Sequence, residues 1–139
     1  MQITRQADYA MRAVAYLAEL GQDRRAATSQ IAEDQRIPPS FLAKIVSQLS
    51  VAGLLQTSRG ARGGVSLARS PEEISFLEVV EAIDGPILIN ECVLDSSTCT
   101  FGESCALRPV FCDAQADLVH RLETTSFDSV IKTNGKEAA

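Results

Sequence analysis

Apolar side chains return along the first half of the chain at intervals of three and four, and then at every second residue. From Thr4 to Leu20, Ala10, Ala13, Val14, Leu17 and Leu20 fall on one face, which predicts an amphipathic helix capped by Thr4 and stopped by Gly21. The Thr28-Ser29 pair offers the cap of a second, shorter helix through "QIAEDQ", with Ile31 and Ala32 toward a core. Ser40, or Pro39 before it, opens a third, in which Phe41, Leu42, Ile45, Val46 and Leu49 recur as far as Gly53. "GLLQTSR" and "GGVSLAR" then alternate apolar with polar on either side of Gly60 to Gly64, the signature of a hairpin. Three helices followed by a glycine-tipped hairpin make a winged helix-turn-helix, so the expected fold class is mainly α with a small β-hairpin wing.

The pattern continues beyond the wing. Ser70 and Pro71 are expected to open a fourth helix, "EEISFLEVVEAI", ending near Asp84-Gly85-Pro86. A polar stretch without periodicity follows. From Leu107 a stripe of Leu107, Val110, Phe111, Ala114, Leu118 and Leu122 predicts a long C-terminal helix, with Pro109 in its first turn and Cys105 at its mouth. That stripe has no partner left in a small domain, so packing against a second copy is the expected burial. The resulting division is a DNA-binding winged helix-turn-helix over 1–70, a linking helix and cysteine-rich loop over 71–106, a dimerisation helix over 107–125 and a flexible tail over 126–139.

Charge sharpens this division. The formal net charge is −5, but residues 1–69 carry nine Lys and Arg against five acids, while residues 70–139 carry four against thirteen. A polyanion is held by the first half and repelled by the second. In a helix-turn-helix the second helix of the motif enters the major groove, which nominates Ser40, Lys44 and Gln48 as DNA-binding residues. The wing brings Arg59, Gly60 and Arg62 to the minor groove, where a glycine lets backbone approach and an arginine enters the negative potential. The chain has no apolar run of eighteen residues and no secretory leader pattern, so a cytoplasmic location without membrane contact is expected.

Cysteine is the remaining chemistry. Cys92, Cys99, Cys105 and Cys112 are separated by six, five and six residues, wider than the close pairs that zinc usually takes. Thiolates spread over a loop suit an iron–sulfur cluster. Cys112 also reads as a small buried residue beside Phe111, Asp8 as a first-turn helix acid, and His120 as a surface or dimer-contact residue. A reversible disulfide among Cys99, Cys105 and Cys112 is the alternative switch. One distant histidine and the absence of a Cys-x-x-Cys pair leave no catalytic constellation, so neither an enzyme nor a small-molecule substrate is expected.

The stretches "ITRQADYAMRAVAYLA" and "IPPSFLAKIVSQLSVAGLLQTSRGARGGVSLARSPEEISFLEVVEAIDGP", with the three-cysteine loop downstream, together resemble the Rrf-two family of bacterial regulators, which includes IscR, NsrR and RirA types. The resemblance covers residues 1 to about 123. It implies a homodimeric repressor of a double-stranded operator, its binding switched by an iron–sulfur cluster that senses iron, redox state or nitric oxide. It implies Cys92, Cys99 and Cys105 as ligands, with Asp8 of the partner subunit resembling the fourth ligand of the NsrR-like branch; Cys112 departs from the family pattern and is the alternative fourth ligand, and a 4Fe–4S rather than a 2Fe–2S cluster is expected. It places Ser40 and Lys44 in the major groove, Arg59 and Gly60 in the minor groove and Tyr9 near the phosphates.

Overall fold

A computed structural model describes residues 2–90, 93 and 104–138. Helix α1 (Arg5–Leu20) starts as its sequence predicts: the Thr4 side chain accepts from the Ala7 amide, and the Gly21 amide closes the last turn on the Leu17 carbonyl. Thr4 also donates its hydroxyl to Asp84, 2.5 Å away, tying this helix end to the end of α4 (Phe76–Asp84). Ala10, Ala13, Val14 and Leu17 are buried as expected.

Helix α2 (Thr28–Gln35) starts at the expected place but by another device. Ala27 is its cap, without a side-chain hydrogen bond, because the neighbouring Ala26 is held extended by paired hydrogen bonds with Val65. Helix α3 (Pro39–Val51) buries Leu42, Ile45, Val46 and Leu49. Phe41, expected among them, is instead 43% exposed. Strands β1 (Leu55–Ser58) and β2 (Gly64–Leu67) pair antiparallel, Leu55 opposite Leu67, and the Ala26–Val65 bridge brings a third segment of the chain alongside β2.

The fourth helix begins later than its sequence reading. Ser70 caps only a 3-10 turn over Pro71–Glu73, Ile74 is extended and buried, and α4 then starts at Phe76. The reason is local: Ser75 and Glu78 form a reciprocal capping box, and "SFLE" is its sequence signature. Residues 71–84, read as a link, pack into the same core as the helix-turn-helix through Ile74 and Val79, and Val80 is buried as well.

Helix α5 (Arg108–Glu123) has Pro109 in its first turn and packs along α4, yet none of its residues is buried. Its expected stripe is split. Phe111, Leu118 and Leu122 are half-buried, while Leu107, Val110 and Ala114 face outward, Val110 at 67% exposure. The tail expected to be flexible instead forms helix α6 (Phe127–Ala138). Its first residue, Phe127, is 1% exposed and packs on Phe76, and its amide donates to the Ile74 carbonyl. Phe127, with Ile131 one turn further on packed against the same core, seats the helix.

Candidate nucleic-acid interface

The exposed side of α3 follows from what its other side buries. With Leu42, Ile45, Val46 and Leu49 committed to the core, Ser40, Ala43, Lys44 and Ser47 must point outward, and all four are exposed. Pro39 opens the helix without needing its missing amide, leaving Ser40 and Lys44 in the first two turns. Gln48, one turn beyond Lys44 and also expected at the groove, is less exposed than these. It is half-buried, and its side-chain oxygen is buried without a hydrogen-bond partner in the protein.

In the wing, Arg59, Gly60 and Arg62 are all exposed. Gly60 adopts φ +101°, a conformation L side chains rarely take, with open space beside it. Gly63 is required for a different reason: a Cβ there would run into the Ser58 carbonyl and sit 2.9 Å from the Gly60 carbonyl oxygen. The glycines therefore both open the tip and close its turn. Sequence reasoning passed over Arg25, whose guanidinium reaches the Arg62 carbonyl at 3.5 Å and adds a third cation to the wing. The bridge at Ala26 puts it there, and no local pattern announces such a bridge.

Against the start of α3 lies a stack of side chains on α1. Tyr9, expected near the phosphates, is only 9% exposed. Arg12 lies over its ring, 5.0 Å from the centroid, and Phe41 tilts against it at 6.2 Å. Arg12 is fixed from two sides, by Asp8 at 2.8 Å and by the Gln35 carbonyl at 3.1 Å. Asp8 is thus engaged within its own helix, with its side chain still 58% exposed.

Cys92 and Cys99 fall outside the described residues. Cys105, just ahead of α5, and Cys112, within it, are half-buried free thiols. Among the described residues no group of three or more His, Cys, Asp or Glu is placed to hold a metal. His120 is exposed on α5, and its carbonyl accepts from the Thr124 hydroxyl. The residue the sequence did not single out here is Gln115. Its amide donates to the Ile87 carbonyl and accepts from the Ile89 amide at 2.8 Å, pinning to α5 the segment that leads toward Cys92. Cys112 precedes Gln115 by one helical turn and so shares its face.

Comparison with known proteins adds the family context. A family model described as "Rrf2: Iron-dependent Transcriptional regulator" matches residues 3–133. The HTH-type transcriptional regulator NsrR of Shouchella clausii is 34% identical over 124 residues, covering 88% of this chain and 83% of the relative. Among solved structures, CymR, the global cysteine regulator of B. subtilis, superposes with a TM-score of 0.83 at 22% identity, covering 96% of this chain and 98% of that one. IscR of T. potens superposes with a TM-score of 0.77 at 20% identity, over 96% of this chain and 88% of that one. These two likenesses show the shared fold.

Proposed function

Because the chain belongs to the Rrf2 family of transcriptional regulators, and is therefore a DNA-binding protein rather than an enzyme, we propose that it is a cytoplasmic homodimeric repressor whose hold on a double-stranded operator is switched by an iron–sulfur cluster. The observation that carries this reading is the position of the three-cysteine segment. In chain order it lies between α4, which belongs to the core holding the recognition helix, and a helix, α5, that buries none of its residues within the subunit. A change in that segment alters how the two are held, and Gln115 is the clamp through which it acts.

Cys92, Cys99 and Cys105 would hold the cluster, with Asp8 of the partner subunit or Cys112 completing the set. Thiolates are the donors such clusters take, and Cys105 is a free thiol. Asp8 suits the fourth position because the ion pair it must give up is exposed, and exposed pairs are worth about 0–1 kcal/mol. When bound, a 4Fe–4S cluster with one weak carboxylate ligand supplies a site reactive toward nitric oxide, oxygen or loss of iron. The chain's own residues do the rest: Ser40 and Lys44 meet the major groove, and Arg59, Arg62 and the Gly60 backbone meet the minor groove. No small-molecule substrate enters this scheme.

The test is anaerobic purification followed by an absorption spectrum, iron and sulfide assay and native mass spectrometry, then operator binding with and without reconstitution. A brown dimer with about four irons per subunit and an operator affinity that depends on them is the expected result. Unchanged affinity after reconstitution would sink the cluster switch. A second reading rests on Cys112, a fourth thiol on the Gln115 face of α5. Peroxide would oxidise two of Cys99, Cys105 and Cys112 to a disulfide, itself being reduced to water, and a colourless protein showing that bond by mass spectrometry would favour it.

A further inference from the structure

Phe41 is the third residue of the recognition helix and one of the exposed large apolar side chains among the described residues. Its ring is not free to turn inward. The space beside it is filled by Tyr9, which is buried, covered by Arg12 and held through Arg12 to Asp8 and the Gln35 carbonyl. A phenylalanine braced on one side and open on the other presents a fixed apolar edge. On its other flank lie the exposed Ser40 and Lys44, so this edge continues the polar surface already assigned to the major groove.

Base chemistry narrows what such an edge can recognise. In the major groove adenine, guanine and cytosine offer hydrogen-bonding groups, which an apolar ring would strip of water without replacing. Thymine alone adds a C5-methyl group. First-turn residues of a recognition helix are those closest to base edges. Resting on the reading of this protein as an operator-binding regulator, we propose that Phe41 is a specificity-determining residue that reads a thymine in each half-site by packing its ring edge against the C5-methyl. Tyr9 and Arg12 are positioning residues that hold the ring in place.

The experiment is selection of operators from a random duplex library with the full chain, followed by replacement of each selected thymine with uracil. Uracil keeps the base pair and removes only the methyl group. One thymine per half-site is expected at which uracil weakens binding about fourfold, the equivalent of one lost methyl contact. Phe41→Ala should bind the thymine and uracil duplexes equally, while Phe41→Leu keeps part of the difference. Because the ring is exposed, Phe41→Ala should melt close to the parent protein, which a thermal scan checks. A selected operator with no uracil-sensitive thymine, or a Phe41→Ala variant that retains the full sensitivity, would overturn the assignment of Phe41 alone. Failure to select any duplex would overturn the operator-binding reading itself, and the role of Phe41 with it.

Discussion

Phe127 rests its ring on Phe76, centroids 4.7 Å apart, and so fastens the last helix of the chain to the first turn of α4. Backbone hydrogen bonds on either side, from Phe127 to Ile74 and from Phe76 to Thr125, make the joint a short strand-like contact. Phe127→Ala should cost about 3–5 kcal/mol, the usual range for a fully buried ring. Urea unfolding gives the value, and limited proteolysis should show α6 cut before the rest. A loss below 1 kcal/mol would mean that the ring is not a core residue.

Glu78 ties stability to pH. Burial alone would push its carboxyl up. Hydrogen bonds from the Arg69 side chain and the Ser75 amide, with attraction to Arg69, outweigh this and hold it below its ordinary value. A carboxyl depressed in the folded state stabilises above its unfolded pKa, about 4.3, and loses that contribution as pH falls through the lower folded value. Glu78→Gln keeps the cap acceptor and loses the ion pair, so it should cost no more than about 1 kcal/mol at pH 7. The difference between the two proteins in urea midpoint should close as the pH is lowered toward 3. A constant difference would dismiss the ion pair.

The buried, unpaired oxygen of Gln48 makes this residue a liability in the free protein. Gln48→Met removes the unmet acceptor at similar volume and should raise stability by about 1 kcal/mol. If Gln48 pairs with a base, the same variant should bind the operator more weakly. Stability and affinity would then move in opposite directions, as they do where function is kept at the expense of stability. Gain in stability with unchanged affinity would remove Gln48 from the interface.

Val110 is open to solvent in the single subunit, so replacing it should leave that subunit undisturbed. Val110→Asp should therefore melt normally when monomeric yet shift sedimentation from dimer to monomer, because a carboxylate would have to be buried against the second copy. A dimer that persists unchanged would place the interface elsewhere.

Gly63→Ala should distort the wing, since its Cβ meets the Ser58 and Gly60 carbonyls. Arg59→Ala leaves the wing intact and removes one charge. Both should weaken DNA binding, but Arg59→Ala should in addition flatten the slope of log affinity against log salt, from a value on the order of −7 for a dimer with about four phosphate contacts per subunit, by about 1 per site. Equal slopes for parent and Arg59→Ala would show that Arg59 stays in solvent.

What the sequence by itself determined is what depends on neighbours in the chain. Thr4 and Gly21 bound the first helix, Pro39 starts the recognition helix, and the glycine-tipped alternation folds as a hairpin, because caps, proline and period-two patterning act within a few residues. The capping box at Ser75 and Glu78 was equally local and could have been read from "SFLE". Tertiary structure decided the rest. Phe41 and Phe127 exchanged their expected environments, one turned out by Tyr9 and the other drawn in by Phe76, and Arg25 joined the wing through a bridge that pairs residues 26 and 65. Periodicity assigns a side chain to a face, but whether that face is covered depends on which distant element arrives there first and fills the space.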